Sequence, residues 1–479
     1  MSLLIFKAIK PFLRKNSMAF LRESNVREKQ EQLVIKKLRM MEASNLGKTI
    51  GFSSPLDISK LPLTGYEFYT PFYKNPKEGD FMYPLSEYVK THTSGTMGKP
   101  KVYMAPQKGF KENLKRAALS LFFICTHDGE RSRLDIGDTI YANLPGGSFI
   151  ASFMGDSFRK NQSSILKLVP ENSNQMSFEE KVDYFIHNHQ KVDVAYMTVT
   201  SFLDDIVPRV EDQIHLKGFI TQDTSAGPMK EEIKKASGNY PKTLYASTES
   251  MLSGLPSLQY PGGFFMDWRV IYPEFIEEDD ALSTDTVKTE DYPEIVPMMD
   301  VKAGKRYQLI ATPLFNDITR YVMPDIFECI AIGDDILGTD IPIFKYYTRS
   351  DRLMVLHNFT RISEEEMISL MKNAGLPMVD FTARKELDGA REYMHVYLEL
   401  NQAMSYEEAF EKLNAALLEF DKDWRDLTDF MNFTPLKLTL LPKGTFHKFL
   451  NTKEGMARIA RIGMREERFN LLMGQSSTG

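Results

Sequence analysis

Thr93-Ser94-Gly95-Thr96-Met97-Gly98-Lys99-Pro100-Lys101 is the stretch on which the reading of this chain turns. Gly95 and Gly98 allow a tight turn and close backbone approach, Ser94 and Thr96 bring hydroxyl donors, and Lys101 brings a positive charge, which together are the parts of a phosphate cradle. Pro100 directly after Lys99 excludes the P-loop of the large NTPase class, which needs Ser or Thr after Gly-Lys. A surface turn ahead of a strand has the same composition, so the loop acquires meaning only from what accompanies it.

Working outward, the bulk properties describe a globular chain. Its 479 residues exceed one ordinary core and predict two or three domains. Apolar residues make up 42% and charged residues 26%, and a net charge of −6 gives no general attraction to nucleic acid or anionic lipid. Two distant cysteines, Cys125 and Cys329, argue against a disulfide framework and for a reducing, cytoplasmic setting. No apolar run approaches membrane-spanning length, so stable membrane insertion is not expected. Lysines interrupt the apolar residues of Met1–Phe20, which reads as a helix packed on its own domain. Oligomeric state is not legible.

From Tyr66 to Tyr245, short apolar runs such as Thr139-Ile140-Tyr141-Ala142 and Val192-Asp193-Val194-Ala195-Tyr196 alternate with helical stretches, which predicts an α/β domain. Beyond residue 350 the texture changes. Ser363-Glu364-Glu365-Glu366 and Ser405-Tyr406-Glu407-Glu408 have the Ser-x-x-Glu spacing of helix starts. Strands are expected at Val379–Leu387, Met394–Leu400 and Leu436–Leu440, giving an α-β-β-α-β lobe. The expected organisation is a large multi-sheet α/β domain over residues 1–350 and a small α+β domain over 351–479.

Three clusters could accompany the loop. Tyr245-Ala246-Ser247-Thr248-Glu249 joins an aromatic face for a base, hydroxyls (Ser247, Thr248) for phosphate, and a carboxylate (Glu249) for Mg²⁺. Asp325, in Arg320-Tyr321-Val322-Met323-Pro324-Asp325 after the strand-like Gln308–Thr312, could accept from ribose hydroxyls. Arg349, in Tyr347-Thr348-Arg349-Ser350-Asp351, stands at the domain boundary within reach of a phosphate or ribose. Each alone also reads as a turn or a surface ion pair. His187-Asn188-His189 offers two nitrogens from one strand face but no third metal ligand. Leu144–Phe149 and Ser152–Gly155 read equally as an acyl pocket or as core.

In this order the clusters resemble the acyl-adenylating superfamily of acyl-CoA ligases, firefly luciferase and peptide-synthetase adenylation domains. Leu61-Pro62-Leu63-Thr64-Gly65-Tyr66-Glu67, the loop, Tyr245–Glu249, Tyr272-Pro273-Glu274-Phe275, Arg320-Tyr321 with Asp325, Arg349 and Gly444-Thr445-Phe446 are more narrowly similar to the auxin-conjugating acyl-acid amido synthetases. The resemblance implies that a carboxylic acid attacks the α-phosphate of MgATP and that an amine, usually of an amino acid, then displaces AMP. Acyl-CoA ligase, with a thiol acceptor, and a nucleotide-binding homologue with weakened catalysis are the alternatives. It further implies that Ser94, Gly95, Thr96, Gly98 and Lys101 hold phosphates, Thr248 and Glu249 phosphate and Mg²⁺, Tyr245 the adenine, Asp325 the ribose and Arg349 ribose or phosphate, with Asp351 at a hinge. The pattern departs at Met97, where a small hydroxyl residue is usual, and at Pro324, where glycine is usual. For the catalytic cation, Lys448 lines up with the lysine of the wider superfamily, while the amido synthetase position falls in Arg458–Gly463, where Arg461 stands without a lysine. Guanidinium and ammonium are not equivalent.

Overall fold

The computed structural model of the chain describes residues 3–52, 56–92, 101–144, 148–162, 166–199, 201–223, 226–282, 292–350, 354–357, 360–362, 364–431, 433–451, 459–464 and 466–476. These divide into two compact units, one of Met1–Thr93 with Val102–Ser350, the other of Asp351–Gly479 with the segment Ser94–Lys101.

In the first unit the alternating apolar runs become a five-stranded parallel sheet, in the order Lys167–Val169, Thr139–Ala142, Val194–Tyr196, Gly218–Thr221, Pro241–Thr243. Parallel strands are covered on both faces, which is why the inner runs Thr139–Ala142, Val194–Tyr196 and Gly218–Thr221 are mostly apolar rather than alternating; all four residues of Gly218–Thr221 are buried. Gly218 lets the end of helix Gln107–Cys125 approach, since a Cβ there would meet the Cys125 carbonyl oxygen at 2.3 Å. The N-terminal helix, Leu3–Met18, is anchored at its end, where Ser17 O accepts from Ser120 Oγ (2.8 Å) and Arg269 Nη1 (3.2 Å). Among the described residues, no helix is long and apolar enough to cross a membrane.

The candidate clusters at Tyr245–Glu249, Asp325 and Arg349 sit on a second, antiparallel sheet of eight strands: Val296–Pro297, Ile271–Glu277, Arg306–Pro313, Tyr321–Asp334, Thr339–Arg349, Phe264–Met266, Met251–Pro256 and Tyr245–Ser247. The sequence puts Arg320–Asp325 after a strand, whereas Tyr321–Asp334 is itself a 14-residue strand paired on both sides. Pro324 argues against a central strand, because it cannot donate to a ladder. The sheet accommodates it with an irregularity. The register with Arg306–Pro313 shifts between Gln308 and Ile310, and the buried Gln308 amide donates instead to Met323 O (2.9 Å) and Ser350 Oγ (2.8 Å).

The second unit follows the expected order: helix Glu364–Asn373, antiparallel strands Met378–Asp388 and Arg391–Leu400, helix Tyr406–Phe420, and strand Leu436–Leu441 parallel to Arg391–Leu400. Ser405 caps its helix by accepting from Glu408 N at 3.1 Å; Ser363 lies outside the described residues. Ala409, Leu413 and Leu417, at four-residue spacing, bury one face of that helix. Each buried leucine contributes about 1.5–3 kcal/mol. An additional helix, Lys422–Met431, supplies the fully buried Trp424 to the same core.

Candidate functional site

Of the phosphate loop, Ser94, Gly95, Thr96 and Gly98 lie outside the described residues, as does Asp351. Lys101 is half-buried immediately before strand Val102–Pro106, which pairs antiparallel with Tyr88–His92. The Tyr66 phenol fixes the start of that strand, accepting from Val102 N at 2.9 Å and donating to Val102 O at 3.2 Å.

Tyr245–Ser247 and Met251–Pro256 form a hairpin, and Thr248, Glu249 and Ser250 make its turn. Ser247 Oγ braces that turn, accepting from Ser250 N at 2.9 Å and lying 2.9 Å from Ser250 Oγ. Glu249 is held at two points. Its carboxylate Oε1 accepts from the Tyr103 phenol at 2.7 Å, and its backbone oxygen accepts from Asn316 Nδ2 at 2.6 Å. The Tyr103 hydroxyl lies 3.0 Å from that of Tyr321. Sequence reasoning missed Tyr103 and Asn316. Only the position of Tyr103, two residues after Lys101 in an apolar strand, pointed toward it.

Asp325 and Arg349 are register partners on adjacent strands, with Oδ1 and Nη1 3.6 Å apart. Tyr245 donates its phenol to Asp325 Oδ2 at 2.7 Å. The Tyr245 ring is buried and stacks on Phe264, with centroids 5.6 Å apart, while Phe327 meets it edge-on at 5.0 Å. Burial foremost, then the Asp325 charge, pushes the Tyr245 phenol far above the ordinary tyrosine range, so it remains a proton donor. Tyr103 is raised likewise by burial and then by Glu249.

Three other quoted motifs converge on one buried ion pair. Arg320 Nε and Nη2 each lie 3.0 Å from a Glu274 carboxylate oxygen, and Arg320 Nη1 donates to Leu61 O at 2.6 Å and Ser59 O at 3.1 Å. Thr64 continues the junction, its amide donating to Arg320 O at 2.8 Å and its hydroxyl to Thr319 O at 2.7 Å. Burial raises the Glu274 carboxyl against the opposing pull of Arg320.

In the second unit, Gly444-Thr445-Phe446 is a helix start. Gly444 adopts φ +88°, and Glu399 accepts from the Gly444 and Phe446 amides at 2.6 and 2.9 Å. Lys448 is exposed on that helix, Thr445–Asn451. Arg461 pairs with Asp380, its Nε 2.7 Å from Oδ1 and its Nη2 3.3 Å from Oδ2.

The Glu249 corner fits a magnesium ion that arrives with phosphate. Among the described residues, no three His, Cys, Asp or Glu side chains gather into a protein cage. Mg²⁺ characteristically needs only one or two carboxylates beside phosphate oxygens and water. His187 and His189 do not share a strand face; they sit at the end of helix Phe178–Asn188, each bonded to a backbone carbonyl at 2.7 and 2.8 Å.

Residues 264–338 match the GH3 family central domain. Among solved structures, the chain is similar to the acyl acid amido synthetase AtGH3.15 in complex with 2,4-DB (16% identity, 99% of this chain and 97% of that one, TM-score 0.54). It is also similar to 2-hydroxyisobutyryl-CoA ligase in complex with 2-HIB-AMP and CoA (14% identity, 96% and 94%, TM-score 0.60). No curated protein matches it in sequence. The resemblance in sequence motifs thus extends to a GH3 central domain and to the mixed α/β fold of adenylate-forming ligases.

Proposed function

We propose that this GH3-family chain is an ATP-dependent ligase that activates a carboxylic acid as its acyl-adenylate and passes the acyl group to an amine. The observation that carries this reading is the hairpin turn that presents Glu249, together with the Asp325–Arg349 pair, which one strand, Phe264–Met266, separates from that hairpin in the sheet order. Adenylyl transfer requires positioning and charge neutralisation rather than a protein nucleophile, and such parts supply both.

In this scheme Ser94, Gly95, Thr96, Gly98 and Lys101 bind the phosphates, with Ser247 shaping the turn from which Thr248 donates to phosphate. Glu249 would hold Mg²⁺, which when bound neutralises phosphate charge. Asp325, oriented by Tyr245 and Arg349, accepts from the ribose hydroxyls. Because the Tyr245 ring already stacks on Phe264, its part is to fix Asp325 for the ribose rather than to stack on adenine. Of the two candidate cations, Lys448 is assigned the phosphate, since Arg461 bonds Asp380 within its own unit. Residues 1–350 would be the adenylating domain and 351–479 the smaller domain. Two buried thiols, Cys125 and Cys329, suit a cytoplasmic enzyme.

Thioester formation is the second reading, favoured by the likeness in fold to the CoA ligase; the GH3 central domain favours the amide. Exchange of labelled pyrophosphate into ATP across a panel of carboxylic acids tests the shared step, and the mass of the product separates amide from thioester. Nucleotide binding without exchange for any acid would overturn the ligase reading.

A further inference from the structure

Glu249 has a partner whose chemistry goes beyond holding a turn in place. Tyr103 is fully buried, its ring wedged against Tyr66 and Tyr73 at centroid distances of 5.3 and 5.7 Å. Its hydroxyl has one proton, and that proton goes to Glu249 Oε1 at 2.7 Å. The 3.0 Å contact between the Tyr103 and Tyr321 oxygens therefore runs in one direction, with Tyr321 donating to Tyr103. The result is a directed relay, Tyr321 to Tyr103 to Glu249, in which each phenol polarises the next. Tyr321 is itself fixed, its ring 6.1 Å from that of Tyr69, whose hydroxyl bonds Thr319 O at 3.1 Å and Thr64 Oγ1 at 3.0 Å. Among the described residues, no hydrogen bond is made to Glu249 Oε2.

We propose that Tyr103 and Tyr321 are positioning residues for the metal carboxylate, securing one oxygen of Glu249 so that the other is presented to a phosphate-bound divalent cation. This rests on the assignment of Glu249 above.

The test uses the full chain, Mn²⁺ as spectroscopic probe and α,β-methylene-ATP as a nucleotide that cannot donate its adenylyl group. Tyr103→Phe keeps the wedged ring and removes only the hydroxyl. We expect it to weaken Mn²⁺ binding to the protein–nucleotide complex by about 10-fold or more, as loss of an outer partner of a metal ligand does. Metal-free nucleotide affinity should be unchanged. Tyr321→Phe, one bond further out, should give a smaller loss in the same direction. Equal Mn²⁺ affinity in wild type and Tyr103→Phe would overturn the relay while leaving the ligase reading intact. Absence of Mn²⁺ binding in the wild-type complex would overturn the Glu249 assignment, and the relay with it. A parallel loss of metal-free nucleotide affinity would show a merely structural role and also reject the proposal.

Discussion

Arg320 and Glu274 face each other as a two-point ion pair, both contacts at 3.0 Å, with side chains only 3% and 7% exposed. Arg320 reaches this geometry from a left-handed backbone, φ +45°, held by Thr312 Oγ1 on its amide (2.8 Å) and by the Thr64 amide on its carbonyl. Removing one partner strands a buried charge. Glu274→Gln is expected to cost about 3–5 kcal/mol in urea unfolding, whereas the double replacement by Glu274→Leu and Arg320→Met should cost less than either single change. Strict additivity of the single effects would contradict this.

Tyr245→Phe removes the phenol from Asp325 and keeps the ring on Phe264. Nucleotide affinity should fall about 5- to 30-fold through loss of a hydrogen bond to a charged group, with little change in melting temperature. Asp325→Asn should fall further, and calorimetry with ATP measures both.

Lys37 is fully buried, donating to Ile318 O, and burial lowers its ammonium to about 7 despite the nearby Asp317 charge. Asp317, which accepts from the Tyr88 phenol at 2.6 Å and Met82 N at 2.7 Å, is raised by burial to about 6. Above about pH 7 the unfolded chain holds a proton on Lys37 that the folded chain has lost, so this group makes stability rise with pH. Between about pH 4 and 6 the folded chain instead retains a proton on Asp317 that the unfolded chain has lost, and stability falls as pH rises. Thermal scans should therefore show a shallow minimum between pH 6 and 7. Lys37→Met should flatten the rise from pH 7 to 9, and Asp317→Asn the fall below pH 6; unaltered slopes would reject the assignment.

Lys448→Ala is expected to lower acid-dependent pyrophosphate exchange by about 10²-fold with folding preserved, the scale of losing one charge-stabilising group. Arg461→Ala should instead lower the melting temperature, since Asp380 loses its partner. The reverse pattern would move the catalytic cation to Arg461.

The sequence was most legible where structure is local. The helix begun at Ser405 and the strands around Val396 and Leu438 follow from capping and period two, and the parallel sheet from apolar runs. It was least legible where long-range bonds override a local signal. Pro324 disguised a 14-residue strand because a side chain 16 positions earlier, Gln308, repairs the ladder. Tyr103 lies 146 positions from Glu249, and its place two residues after Lys101 marks a nearby site without announcing a bond to a turn so distant. The motif residues Leu61, Glu274 and Arg320, recognisable as a family pattern, turn out to secure one junction of the fold.

The pairing of Asp325 with Arg349 fixes a count as well as a contact. The two residues lie 24 positions apart (349 − 325), joined by a hairpin whose register already absorbs its irregularities between Ile326 and Asp334. A one-residue insertion between them that neither the turn nor a further bulge absorbed would turn one side chain to the opposite face of the sheet. That interval is therefore a ruler for distant relatives. Where overall identity is too low to align, an aspartate and an arginine keeping this separation across a predicted hairpin would mark the same pair of register partners.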